Sequence, residues 1–299
     1  MEDQGFAVSE KERQRLLAVN MAAARFFRRE LLRANSGWPL EYLRARGAES
    51  VLTINTDWKV GYAPNSWTRL ADHLCGEGIS HATMVKAGLV EWAASGEAVD
   101  RHRDKLMLVA RDHLLSPVGF VGISEDGHAS SVTPVSAIHR PSNVVVGVEE
   151  QRDLFVRGAV PVIVEHPIDA IAVTNLSRAN GGLWVGIPVG EDGLSTAQAR
   201  IVRRHSRTDK VIVVMSGDSV ARRRAAGCVV DLAFFFDRVR VVELTTGFAE
   251  VLMREGASDA LHELLSGSRS LITYKLNGSD RGPLQVEDLD PPDRRPGLA

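Results

Sequence analysis

The sequence predicts an α/β protein with a mainly parallel sheet, and three features of residues 160–231 predict it. Short runs rich in Val and Ile occupy residues 160–164, 183–187 and 211–215. Each is followed by a polar turn and then by helix-like apolar spacing, the sequence form of strands joined by crossover helices. Strands covered on both faces are apolar throughout, and these runs are. The third feature is acidic: Glu165 follows VPVIV directly, and Asp218 lies shortly after VIVVM. Ligands of open α/β sheets bind at the carboxyl ends of the strands. Carboxylates gathered there suit a hard cation such as Mg²⁺, which takes oxygen ligands.

A chain of 299 residues can bury a substantial core in one or two domains. Hydrophobic residues make up 44% and charged residues 25%, the balance of an ordinary globular protein. The net charge of −2 gives no global attraction to nucleic acid, so any basic surface must be local. No apolar run is long enough to span a membrane, and the acidic, polar N-terminus does not resemble a signal peptide. The expectation is a cytoplasmic protein without a membrane partner. The 2 cysteines, Cys75 and Cys228, read as buried thiols and cannot build a Cys-rich zinc module, so no zinc is expected.

Taken in order, residues 1–8 are expected to be disordered. Ser9 with Glu12 is a capping-box pattern, and the spacing of Leu16, Leu17, Ala23, Phe26, Phe27 and Leu31 predicts a helix over 10–34. PLEYLRARG predicts a second helix ending at Gly47. Arg101, Arg103, Lys105 and Arg111 alternate along a strand-like segment, so several can share one face. The run VRVVEL predicts a further strand, followed by helices over 248–255 and 257–266. The Gly-, Pro- and charge-rich end reads as a disordered tail. The division expected is a flexible N-terminus (1–18), an N-terminal subdomain (19–148), the parallel-sheet domain (149–270) and a tail (271–299).

Several motifs carry a resemblance to a known family. VIVEHPIDAI and VIVVMSGDSVARR resemble the TOPRIM fold of bacterial replicative primases of the DnaG type. That family has a Glu ending its first strand, an Asp four residues on, a DxD pair after a later strand and a further acidic turn. The matching positions here are Glu165, Asp169 and Asp218; Ser216 stands at the first acid of the pair, and Gly247 and Ala249 occupy the last turn. Earlier in the chain, Tyr42, Leu43, Arg46 and Gly47 match a "YLxxRG" element, and Gly61, Tyr62, Ala63 and Pro64 match "GYAP". VDRHRDKLMLVARD resembles the family's "DRFRxRxMFPIRD" strand, and PVGFVGIS its Gly-rich turn, with Ser124 in place of Arg. The family's "YLNSPET" element is not recognisable. In order and spacing the match runs from about Ala22 to Leu265.

The resemblance implies an α+β primase-core subdomain followed by a TOPRIM domain. It implies a catalytic role for Glu165, metal ligation by Glu165, Asp169 and Asp218, and a nucleic-acid path along Arg101, Arg103, Lys105, Arg111 and Arg222. Mg²⁺ is the implied cofactor, with Mn²⁺ as the other candidate. Single-stranded DNA and ribonucleotides are the implied partners, with a replicative helicase or a separate zinc-module protein as further candidates.

Each acid also has a plainer reading. Glu165 and Asp169 sit where a helix N-terminus favours an anion, and Asp218 is a good N-cap residue. Arg203, Arg204 and Arg207 read as a solvated helix face, His166 is the one histidine to watch, and Trp38, Trp58, Trp67 and Trp92 read as core and interface anchors. The expected function is template-directed synthesis of RNA primers. The missing acids keep a second reading open, a degenerate TOPRIM protein that binds DNA or a replication partner without polymerising. A TOPRIM nuclease has no support from the N-terminal motifs.

Overall fold

The computed structural model describes residues 8–190, 193–215, 219–244, 248, 251 and 256–270; of the side chains in 219–224, it describes Arg223 alone. Helix α1 (Glu10–Arg33) opens as the capping pattern predicts: the Ser9 hydroxyl accepts from the Glu12 N–H, and Glu10 and Glu12 sit at the positive end of the helix. Its stripe of Leu16, Val19, Ala23, Phe27 and Leu31 is buried. Burying a side chain such as Phe27 contributes about 1.5–3 kcal/mol. The helix starts well before residue 18, and Leu16 and Leu17 pack in the core, so residues 10–18 are not the flexible segment expected of them.

Helix α2 (Trp38–Ala45) follows, begun by Pro39 in its first turn. α1 then packs on an antiparallel sheet of β1 (Gly61–Ala63), β4 (Lys105–Arg111), β5 (Pro117–Ile123) and β6 (Ala129–Ser131), in the order β1-β4-β5-β6. The approach is close: a Cβ on Gly61 would lie 2.5 Å from the Phe27 Cβ and 2.7 Å from its carbonyl carbon. A third face is built by α3 (Arg69–Gly76), α4 (His81–Lys86) and the hairpin of β2 (Val90–Trp92) and β3 (Ala98–Asp100).

The expected basic strand from 101 to 111 is shorter than the alternation suggested. Residues 101–104 form a bend in which Asp104 takes a left-handed φ of 49°, and β4 starts only at Lys105. The bend is held because Asp104 accepts hydrogen bonds from Trp38 Nε1 and the Tyr62 hydroxyl, both at 2.7 Å.

Single turns of 3-10 helix and α5 (Arg152–Val156) lead into the second sheet. It comprises β7 (Val160–Val164), β8 (Trp184–Pro188), β9 (Lys210–Met215), β10 (Arg238–Glu243) and β11 (Arg269–Ser270), in the order β11-β10-β9-β7-β8. The four longer strands are parallel and β11 is antiparallel. The connecting helices are α6 (Pro167–Ala179), α7 (Thr196–His205) and α8 (Ser219–Ala233), and α9 (Ala257–Ser266) precedes β11. Of the predicted helix over 248–255, most residues lie outside those described, as does the predicted tail.

Alternate strand residues face opposite sides. Val162, Val164, Ile212, Val214 and Val242 join one continuous core with Phe27, Leu106 and Phe120 of the N-terminal subdomain. Ile163, Val185, Ile187, Val211, Val213 and Val241 face α7 and α8 in a second core. Gln151, fully buried, ties the linker to the sheet. Its Nε2 donates to the carbonyls of Gly147 (2.8 Å) and Gly186 (2.7 Å), and its Oε1 accepts from Gly186 N (3.0 Å) and the Thr174 hydroxyl (2.5 Å).

The cysteines depart from expectation. Cys228 is buried, but Cys75 is exposed, at the surface end of α3. Among the described residues no helix is long and apolar enough to cross a membrane.

Candidate active site at the end of β7

β7 ends at Val164, and the exposed Glu165 follows at the carboxyl edge of the sheet. β7 and β9 pair in parallel, so Met215 ends β9 on the same edge. The next residues of interest, Ser216 and Asp218, lie outside the described residues, as do Gly247 and Ala249 after β10. The convergence expected of Asp218 is therefore not described.

The first two acids lie near enough for the charge of Glu165 to act on Asp169. Asp169 sits in the first turn of α6 and is buried. Its carboxyl is pushed up to about 6, first by burial and further by the charge of Glu165, while the Arg46 guanidinium opposes the rise. A buried carboxylate beside a second one is costly as an anion, and a cation between them relieves that cost. Carboxylates are hard oxygen donors of the kind a divalent cation takes, and among the described residues no group of three acids, histidines or cysteines is placed to hold one.

Arg46 reaches this point from just past α2, with its guanidinium carbon 5.3 Å from the centre of the Tyr42 ring. The next residue after Glu165 is His166, the N-cap of α6. Its Nδ1 accepts from the Ile168 N–H at 3.1 Å, which leaves the ring proton on Nε2. Nε2 donates to the Gly127 carbonyl at 3.0 Å and lies 3.4 Å from the Tyr42 hydroxyl. Burial pushes this imidazole down to about 4, and it is neutral around pH 7. The sequence singled out His166 only as a neighbour of Glu165, and quoted Tyr42 and Arg46 only as motif members. Their meeting is a tertiary event between helices far apart in the chain.

The basic residues separate. Arg101 pairs with Glu91 at 2.9 Å, and Lys105 donates to the Ser124 hydroxyl at 2.6 Å. Arg103 donates to the Asp100 carbonyl at 2.7 Å and lies over Trp67, its guanidinium carbon 4.0 Å from the ring centre. Trp67 is 64% exposed and Trp92 55%, so neither is a core anchor; Trp58 is buried as expected. Arg111 is not on this surface. It pairs with Glu150 at 3.3 Å and donates to the Leu115 carbonyl at 3.0 Å, with its side chain 13% exposed. The register of β4 against β5 shifts between Ala110 and Arg111, and such a shift re-aims the side chain that follows. Arg111 thus serves the fold, neutralising Glu150, whose own carboxyl is pushed up by burial. The side chain of Arg222, on α8, lies outside the described residues.

Comparison with known proteins completes the picture. The family model for the DNA primase catalytic core, N-terminal domain, matches residues 26–131. The DNA primase of Synechococcus elongatus is 28% identical over 277 residues, covering 89% of this chain and 39% of that one. That of Deinococcus radiodurans is 27% identical over 275 residues, covering 90% and 46%. The RNA polymerase domain of Mycobacterium tuberculosis primase DnaG superposes with a TM-score of 0.74 at 23% identity, covering 93% of this chain and 91% of that one. In sequence the chain resembles bacterial DNA primases, and in fold it matches the DnaG catalytic core. A DnaG primase catalytic domain solved bound to single-stranded DNA also superposes on it, with a TM-score of 0.73 at 19% identity over 91% of this chain and 84% of that one. The chain spans less than half the length of the two curated relatives, 39% and 46%.

Proposed function

We propose that this chain is a DNA primase core: it binds a single-stranded DNA template and joins ribonucleotides on it, using Mg²⁺ or Mn²⁺. The observation that carries the reading is the placement of Glu165 at the carboxyl edge of the parallel sheet and of Asp169 in the first turn of the helix that follows, with the charges of Glu165 and Arg46 near enough to act on Asp169. The similarity to DNA primases over most of the chain supports it, as does the DnaG domain solved with single-stranded DNA. We assign the edge to a TOPRIM domain.

When bound, the cation supplies positive charge to the phosphoryl group being transferred. Glu165, Asp169 and Asp218 are its proposed ligands, with Glu165, being exposed, the one nearest an incoming substrate. Arg46 keeps the buried Asp169 ionisable by opposing its burial. Arg103 and Trp67 offer a cation stacked on an exposed ring, a surface that takes both phosphate and base of a single strand. A replicative helicase and a separate zinc-module protein are the proposed partners of the whole protein.

Ser216, Gly247 and Ala249, at positions where the family carries acids, favour a second reading in which the core binds DNA without polymerising. Primer synthesis on single-stranded DNA, titrated with Mg²⁺ and Mn²⁺, separates the two. The polymerase reading expects synthesis that is stronger in Mn²⁺, abolished in Glu165→Gln and raised in Ser216→Asp. No primer in either metal, with DNA binding intact in Glu165→Gln, leaves the binding protein.

A further inference from the structure

The ring of His166 touches three separate parts of the chain. Through Nδ1 it caps α6, the helix that carries Asp169, and through its own backbone it is joined to Glu165. Through Nε2 it holds the turn between β5 and β6 at Gly127, and it approaches Tyr42 of α2. The far jaw is tightly packed: a Cβ on Gly127 would lie 3.1 Å from the Tyr42 hydroxyl oxygen and 3.8 Å from Arg46 Nη2. The two acids reside on the parallel-sheet half, whereas Tyr42, Arg46 and Gly127 belong to the N-terminal half.

We infer that His166 is a positioning residue, a clamp that fixes Glu165 and Asp169 against the N-terminal subdomain so that they present a preformed pair of ligands. This rests on the reading of those acids as holding a divalent cation. Both ring nitrogens are engaged, so His166 acts through the acids' placement and takes no place at the metal itself. Groups that orient metal ligands are worth about 10–100-fold in affinity.

The local and the long-range roles of the ring predict opposite orders. Asn is a better helix cap than Gln, but its short side chain does not reach Gly127; Gln is a poor cap that does. Mn²⁺ is the probe, titrated into the full chain and followed by water-proton relaxation, with circular dichroism to verify folding. The clamp expects the dissociation constant to rise about tenfold in His166→Asn and by less in His166→Gln. His166→Ser, a second good cap too short to reach, replaces the Asn variant should that one not fold. Parent-like binding in the short-capped variant, or Gln binding no better than it, overturns the clamp and leaves the metal reading intact. A parent chain that binds no Mn²⁺ overturns the metal reading, and the clamp with it.

Discussion

Replacing Gln151 with Leu keeps volume and apolar contact but removes four hydrogen bonds from the buried linker. The Thr174 hydroxyl retains the Ala170 carbonyl at 2.8 Å as an alternative acceptor, so it is not stranded. The Gly186 N–H, the Gly186 carbonyl and the Gly147 carbonyl lose the partners they have at 3.0, 2.7 and 2.8 Å. Each buried group left unpaired costs about 1–3 kcal/mol, so the expected loss for the three is roughly 3–9 kcal/mol. That is a large share of the ~5–15 kcal/mol that keeps a domain folded. Urea denaturation gives the loss, and amide hydrogen exchange places it, since the Gly186 N–H should exchange much faster. Gln151→Glu, which keeps an acceptor but has no donor, should lie at least as low because it also buries a carboxylate. A loss under about 1 kcal/mol, with Gly186 still protected, would refute the assignment of these bonds as a structural clip.

Three further outcomes follow from the same geometry. His102 is buried between the rings of Phe27 and Phe120, at 6.4 and 6.1 Å, and is pushed down to about 3 by burial first, with the charges of Arg101 and Lys105 adding. Because the folded value lies below the ordinary 6.5, the unfolded chain takes up the proton first. This stability is full above pH 6.5 and falls by about 1.4 kcal/mol per pH unit on acidification toward 3; His102→Leu should flatten that part of the profile, and an unchanged slope counts against it. Gly186→Ala should be strongly destabilising, because its Cβ would lie 2.3–2.7 Å from the Ala170 backbone; near-parent melting would show that α6 can move off β8. Single-stranded DNA should bind more weakly as salt rises, with Trp67→Ala costing about 1–3 kcal/mol at every salt concentration and Arg103→Ala lowering the salt slope by about 0.7; fluorescence anisotropy showing neither change places the strand elsewhere.

The features legible in the sequence are those set by local pattern. Val160–Val164 and Lys210–Met215 form strands where unbroken Val and Ile runs demanded them, and Glu165 lies at the sheet edge because a strand end fixes its position. The Ser9 cap and the stripe of α1 were equally plain. What failed to read out depends on distant partners. The alternation from Arg101 to Arg111 suggested one face, but Asp104 is pinned in a left-handed bend by Trp38 and Tyr62, and a register shift turns Arg111 toward Glu150. Trp67 read by type as a core or interface anchor, and it lies exposed under Arg103. The union of Tyr42, Arg46 and His166 depends on how two subdomains dock, and no spacing encodes that.

Strand β8 lies at the border of its sheet, and Gly186 turns its N–H and carbonyl away from β7, toward the position where another strand would add. The amide of Gln151 fills that position, giving and receiving one hydrogen bond just as a neighbouring strand's peptide unit does. A side chain from the linker has thereby taken the seat that a second molecule's backbone would occupy. An undocked linker would leave this border open to a second strand. The order in which the pieces come together therefore matters to solubility as well as to stability, and a single glutamine guards the step.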